Sequence, residues 1–121
     1  MLFDVVRTTI AGRPALTVRG ELDLSTAPLL ATAVEEQLEG KPAAVVIDLT
    51  PTTFIDSSGA RQLVRSARAA DKAGVAVQVV CPRTNRAARL IIDLLDLGAI
   101  VPIVESASAI PPGLAQRDVG P

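Results

Sequence analysis

The sequence predicts a single α/β domain in which a mixed β-sheet is flanked by helices. Segments rich in β-branched residues alternate with segments whose apolar residues recur every three or four positions, in the order ββαβαβαβ. Alternating strands and helices favour a mainly parallel sheet built with right-handed crossovers. The first two strands are separated only by a tight turn, so we expect a hairpin that adds an antiparallel member.

The N-terminal elements follow from local sequence signals. Residues 2–10 and 15–22 are the predicted hairpin strands. Ser25 or Thr26 is the candidate N-cap of the first helix, which we expect to end at Gly40. Its predicted core-facing residues are Ala27, Leu30, Ala31, Val34 and Leu38.

The central segment predicts a buried strand, a loop and a second helix. Residues 43–49 are nearly all apolar, which is typical of a central strand, and residues 50–54 form the predicted loop. The helix is predicted over residues 57–73. Its predicted buried residues are Ala60, Leu63, Val64 and Ala67.

A basic stripe follows a second face of this helix. Its residues recur at helical spacing and are Arg61, Arg65, Arg68 and Lys72. Such a stripe favours a solvated helix face, and the alternative is a docking surface for an acidic partner.

The C-terminal elements complete the predicted domain, residues 1–110. Residues 75–81 predict a strand, residues 86–97 a third helix and residues 99–104 a last strand, with one helical turn near residues 106–110. The third helix is apolar almost all round at its C-terminal end, which favours burial over an exposed partner surface. Residues 111–121 contain three prolines and two glycines and predict a disordered tail.

Composition excludes several classes of function. The 121 residues carry a net charge of −1, which argues against a direct nucleic-acid binder. The sequence contains no histidine, so most metal sites and Ser-His catalysis are excluded. No apolar run is long enough to span a membrane, no signal-peptide pattern is present, and the lone Cys81 fits a reducing compartment. We therefore expect a cytoplasmic protein without a cofactor or metal.

The segment Asp56-Ser57-Ser58-Gly59 is the candidate functional site. Short polar side chains at the start of a helix can accept hydrogen bonds from its free backbone N–H groups, and this end of a helix favours negative charge. A phosphate could be held here as a ligand or as a phosphoserine. From the residues alone, the simpler interpretation is that the two serines only cap the helix.

Two motifs resemble the STAS domains of bacterial anti-sigma factor antagonists. They are GELDLSTAPLL at residues 20–30 and DLTPTTFIDSSG at residues 48–59. The resemblance covers roughly residues 2–104 and implies a STAS-like mixed sheet flanked by helices. It also implies a non-enzymatic switch protein that, when unphosphorylated, binds an anti-sigma factor with serine kinase activity and so releases a sigma factor.

The resemblance assigns roles to individual residues. It implies phosphorylation at Ser58, with Ser57 as the alternative if the register differs by one, and a serine phosphatase that reverses it. The implied partner-binding residues are Asp23, Asp56, Ser57, Ser58, Gly59, Arg61 and Arg65. For three of these residues the sequence leaves other roles open. Asp23 can stabilise its loop, Asp56 can cap the helix or orient the acceptor, and Gly59 can fit a tight turn or allow a close approach. An aliphatic residue usually follows the motif in this family, whereas here Gly59 is followed by Ala60 and Arg61. The contacts of this helix with its partner can therefore differ, which leaves the identity of the kinase open.

Other functions remain as alternatives or are excluded. The domain could be an accessory subunit of a membrane transporter or lipid-transport ATPase, or it could bind a nucleotide at the Ser57–Gly59 helix start. A second copy of the chain is a further candidate partner, because an apolar-rich, near-neutral domain can dimerise. Hydrolase and P-loop motifs are absent, and this chain lacks the acidic pair after the first strand and the lysine after the fifth strand that a receiver domain needs. We expect Cys81 to be a buried inert thiol, the alternative being a redox switch.

Overall fold

The computed structural model describes residues 3–110. Its strands are β1 (Asp4–Ile10), β2 (Arg13–Leu22), β3 (Ala44–Asp48), β4 (Thr52–Ile55), β5 (Ala76–Val80) and β6 (Ile103–Val104). Its helices are α1 (Ala27–Glu39), α2 (Ser57–Lys72) and α3 (Arg86–Leu94). Short 3₁₀ turns occupy Leu97–Ala99 and Ala107–Ala109. The predicted tail at residues 111–121 lies outside the described residues, and the domain boundary at residue 110 stays a prediction.

The sheet is mixed, as predicted. The strand order is β1-β2-β3-β5-β6, with β1 antiparallel to β2 and every other neighbouring pair parallel. β4 lies off this path and pairs with the last residues of β2, from Gly20 to Leu22. Sequence reasoning placed a loop at β4, and that assignment was wrong, because this strand is formed by a long-range pairing.

One face of the sheet carries the main core. Alternate residues of the three central strands, such as Leu16, Ile47 and Val79, stand in one row and are fully buried. All three helices add side chains to the same cluster, including Leu30, Leu63 and Ile92. Because α1 follows β2, α2 follows β4, and these two strands are parallel neighbours, both helices begin at the same edge of the sheet.

The predicted helix faces are confirmed with two adjustments. In α1 and α2 the expected core residues are buried, apart from Ala31, Leu38, Val64 and Ala67, which are partly buried. Burial of α3 was a wrong prediction: it buries only Ala88 and Ile92 and leaves Leu90 and Leu94 largely exposed. The helix also ends earlier than residue 97, and the last strand is shortened to two residues because residues 97–99 form a 3₁₀ turn.

Candidate functional site

The loop between β2 and α1 is held by Asp23. Its Oδ1 accepts hydrogen bonds from the Ser25 backbone N–H (3.0 Å), the Ser25 hydroxyl (2.8 Å) and the Thr26 backbone N–H (3.1 Å). The hydrogen bond from the Ser25 hydroxyl, joined by those from Thr26, lowers the pKa of the Asp23 carboxyl from its ordinary value of 3.8. Asp23 therefore stabilises this loop, and its contact with a partner stays a prediction.

The hydroxyl of Thr26 closes the same loop. It accepts from the Asp23 backbone N–H (2.8 Å) and donates to the Glu21 carbonyl (2.7 Å). Thr26 occupies the N-cap position of α1, but its side chain makes no capping hydrogen bond to the helix. The predicted N-cap at Thr26 is therefore confirmed in its position, although its hydroxyl bonds within the loop and not to the helix.

Asp56 caps the helix that carries the two serines. Its Oδ1 accepts from the Gly59 backbone N–H at 2.9 Å, and its own N–H donates to the Leu22 carbonyl at 3.2 Å. These bonds satisfy a free N–H at the start of α2 and fix that start to the end of β2. Of the two roles left open for Asp56, the structure shows capping.

Packing within this chain explains why position 59 is a glycine. It is buried, and a Cβ built on it would collide with the Leu22 carbonyl oxygen and lie 2.9 Å from Leu22 Cγ. The close approach expected at Gly59 is therefore made to β2, and no side chain fits between them. Gly59 therefore has a packing role within the domain, and its contact with a partner stays a prediction.

The two serines differ in exposure and leave capping to Asp56. Ser57 is exposed and Ser58 is partly buried, at the first and second positions of α2. Neither hydroxyl has a hydrogen-bond partner among residues 3–110. The interpretation of Ser57 as the capping hydroxyl was therefore wrong, because the Asp56 carboxylate takes that place. Both hydroxyls remain available for chemistry.

Ser58 lies in a groove between the first turns of α1 and α2. The groove has a volume of about 140 Å³. On the α2 side it is lined by Ser58, Arg61, Gln62 and Arg65, and on the other side by Leu24, Ala27 and Pro28. An adjoining pocket is lined by Asp23, Leu24, Ser25 and Asp56. Five of the seven predicted partner-binding residues therefore line these two adjoining pockets, and the other two, Ser57 and Gly59, flank Ser58 in the first turn of α2.

Sequence reasoning missed the apolar residues beside this groove. Leu24 is 76% exposed and Leu29 is 55% exposed, although leucine side chains are usually buried. The signal was present in the sequence, since Leu24 lies inside the first motif and between polar neighbours. Phe54, in β4 before the serines, is also substantially exposed.

Sequence reasoning also missed the role of Asn85, which supports the segment that leads to the serines. Its Nδ2 donates to the carbonyls of Leu49 (3.0 Å) and Thr52 (2.8 Å), and its Oδ1 caps α3 by accepting from the Ala88 N–H (3.2 Å). One side chain thus fixes the β3–β4 connection to the start of α3. Asparagine at a helix start signals a cap, but its long-range bonds have no local signature.

Three further observations concern metals, membranes and the thiol. Within residues 3–110 there is no cluster of three His, Cys, Asp or Glu side chains that could bind a metal ion, and none of the helices there has the length and apolar character to cross a membrane. Cys81 is fully buried, and burial raises the pKa of its thiol to about 11. The predicted burial of the Cys81 thiol is confirmed, and its inertness stays a prediction.

Comparisons with known proteins agree with this geometry. The anti-sigma-F factor antagonist RsfB from two strains of Mycobacterium tuberculosis is 36% identical over 78 residues, which span 62% of this chain and 62% of the relative. A crystal structure of an anti-sigma factor antagonist from Mycobacterium paratuberculosis superposes with a TM-score of 0.74 at 27% identity, covering 97% of this chain and 96% of that one.

A more distant structure shares the fold alone. The unphosphorylated anti-sigma factor antagonist SpoIIAA has a TM-score of 0.61 at 14% identity, covering 89% of this chain and 92% of that one. Residues 5–109 match the STAS domain, which is most of the chain. The protein described here therefore belongs to the STAS domain family.

Proposed function

We propose that this protein is an anti-sigma factor antagonist. The observation that carries the proposal is Ser58, a groove-lining serine whose hydroxyl makes no hydrogen bond to residues 3–110, on a helix start that is fixed by Asp56 and Gly59. The names of the STAS relatives, which match over 62% of their length, support the same function. In this proposal the protein is cytoplasmic, is not itself an enzyme, and acts by binding.

The proposed partner is an anti-sigma factor with serine kinase activity. When unphosphorylated, the antagonist binds this partner, and a sigma factor is released. The partner transfers the γ-phosphoryl group of ATP to Ser58: the bond from the β–γ bridging oxygen to phosphorus breaks, a bond from Oγ to phosphorus forms, ADP leaves and the hydroxyl proton is released. A serine phosphatase restores the hydroxyl by hydrolysis.

The position of Ser58 explains how phosphorylation would act without unfolding the domain. Phosphate adds a charge of about −1.5 to −2 at pH 7. At the second position of α2 this charge is stabilised by the helix dipole by about 0.3–1 kcal/mol. The modified residue stays at the rim of the groove, where a bound partner would meet its bulk and charge. Binding is then lost while the fold is kept.

The proposed binding surface combines polar and apolar groups. Asp23, Asp56, Ser57, Arg61 and Arg65 supply its polar part around Ser58. The exposed side chains of Leu24 and Leu29 supply apolar area next to it. An apolar area rimmed by polar residues is a common feature of protein interaction sites.

Binding of the host's anti-sigma serine kinases to matched variants tests this function. Ser58→Glu places negative charge in the groove, whereas Ser108→Glu places the same charge on the exposed 3₁₀ turn near the C-terminal end of the described chain. We expect Ser58→Glu to weaken binding by about tenfold or more, or roughly 1.4 kcal/mol, and Ser108→Glu to bind like the parent protein. Equal binding by both variants and the parent would count against the proposal. Ser57→Glu, measured in parallel, decides between the two registers.

A further inference from the structure

Two arginines follow Ser58 along the same side of α2. Arg61 is three residues away and Arg65 seven, so that they stand about 4.5 Å and 10.5 Å further along the helix axis. Seven residues make nearly two full turns, which places Arg65 almost directly in line with Ser58, with Arg61 between them. All three residues line the 140 Å³ groove.

Both arginines are free to take a new partner. They are exposed, and neither makes an ion pair or a side-chain hydrogen bond with any other residue from 3 to 110. Across the groove, α1 and its preceding loop present Leu24, Ala27 and Pro28, none of which carries a charge.

The carboxylates of Asp23 and Asp56 line the adjoining pocket and not the groove itself. Each of them accepts hydrogen bonds from its own loop or helix start. The groove itself is therefore lined by two positive charges and by no negative ones.

Side-chain direction brings the two guanidinium groups towards Ser58. In an α-helix, long side chains lean back towards the N-terminus, over the preceding turn. Arg61 and Arg65 therefore lean towards Ser58, and a phosphate extends the Ser58 side chain further into the groove that they line. Arginine binds phosphate oxygens with its planar, forked set of N–H donors, and such pairs are stronger than neutral hydrogen bonds.

We propose that a phosphate on Ser58 is held within this chain by ion pairs with Arg61 and Arg65, which removes both arginines from the binding surface. The inference rests on the proposed phosphorylation of Ser58 and adds how it acts. Two arginines contribute a charge of +2, and the phosphate contributes about −1.5 to −2, so the groove becomes nearly neutral. Unmodified, the same pair faces a partner surface that carries carboxylates. The phosphate competes with those carboxylates, in addition to blocking the groove.

The second pKa of the phosphoserine reports these ion pairs without any partner protein. That pKa is about 6 for a free phosphoserine. Positive neighbours favour the doubly charged form and lower the pKa, so removal of the arginines must raise it. The measurement is a phosphorus NMR titration of the full chain with phosphoserine installed at position 58.

The comparison uses glutamine in place of arginine, because glutamine also has a long side chain and a good helix propensity but carries no charge. We expect the double variant Arg61→Gln/Arg65→Gln to titrate about 0.5 higher than the parent phosphoprotein. Arg68→Gln is the matched control, because Arg68 lies on the same stripe but about 15 Å along the axis from Ser58. It should titrate like the parent. Salt at about 1 M should shrink the difference, because it screens exposed pairs.

An unchanged pKa in the double variant, or an equal rise in the Arg68 control, would overturn the inference. Neither result depends on a kinase or a sigma factor. Failure of the proposed function appears elsewhere, as equal binding of Ser58→Glu and the parent protein to the anti-sigma kinases. The two failures are therefore distinguishable.

Discussion

The contact between Gly59 and Leu22 fixes the position of Ser58, and it can be tested by adding one methyl group. In Gly59→Ala, the new Cβ collides with the Leu22 carbonyl oxygen and lies 2.9 Å from Leu22 Cγ. The main obstacle is backbone in β2, which cannot rotate away as a flexible side chain can. The start of α2 must then move away from β2, and with it the hydrogen bond from the Gly59 N–H to Asp56.

The expected magnitude follows from two opposing effects. Overpacking a tight contact costs about 1–3 kcal/mol, and a rigid backbone obstacle places this case at the upper end. Alanine has the better helix propensity, by about 1 kcal/mol. We therefore expect Gly59→Ala to lower the free energy of unfolding by about 2 kcal/mol, and the melting temperature by roughly 6–10 °C for a domain of this size.

Gly40→Ala is the matched control. Gly40 follows α1 with a φ of −75°, and a Cβ there would meet only the Gln37 carbonyl oxygen at 3.5 Å, an ordinary contact. The same substitution should then stabilise the protein by about 0.4–1 kcal/mol, because it restricts the unfolded chain. Urea unfolding followed by far-UV circular dichroism suits both variants, since the chain has no Trp or Tyr. A Gly59→Ala variant as stable as the parent would refute the tight contact between α2 and β2.

Three further predictions concern the residues around the site. Asn85→Asp keeps the α3 cap but turns a carboxylate towards two backbone carbonyls, so we expect a loss of about 2 kcal/mol in urea unfolding; an unchanged midpoint would contradict the bridging role. The hydrogen bond from the Ser25 hydroxyl lowers the pKa of Asp23 in the folded state. The ionised Asp23 carboxylate therefore stabilises the fold above its ordinary pKa of 3.8, and this stabilisation is lost as pH falls through the lower folded-state pKa. The stability difference between the parent and Asp23→Asn should therefore shrink in acid, and a constant difference from pH 7 into this range would contradict it. With its thiol pKa raised to about 11 and its side chain buried, Cys81 should react with a disulfide reagent only as fast as the protein unfolds; rapid reaction of the folded protein would contradict its burial.

The fold was largely predictable because its elements have strong local signals. Two segments rich in β-branched residues around a tight turn located the hairpin, and the apolar run through Val45 and Ile47 located the central strand. The start of α2 was visible in Asp56 and the two serines. β4 was missed because Thr52 and Thr53 read as a loop, whereas its pairing partner lies in β2, more than thirty residues earlier. Local patterns carry no information on such pairings.

The candidate site was predictable in its residues but less so in their contacts. Ser58, Arg61 and Arg65 follow one another at helical spacing, so their common face could be read from the sequence. The role of Gly59 could not, since it depends on how closely α2 approaches β2. The exposure of Leu90 and Leu94 was likewise invisible, because an apolar helix can be buried or can face solvent, and only the packing of α3 decides which.

Phosphorylation of Ser58 tests the proposed switch most directly. Each candidate anti-sigma kinase of the host is incubated with ATP and with the parent chain, Ser58→Ala or Ser57→Ala, and the products are read by intact mass and peptide mapping. The proposal predicts a single added phosphate at Ser58 in the parent and in Ser57→Ala, and none in Ser58→Ala. A parent chain that stays unmodified with every kinase while folded, or that carries its phosphate elsewhere, would contradict the proposal.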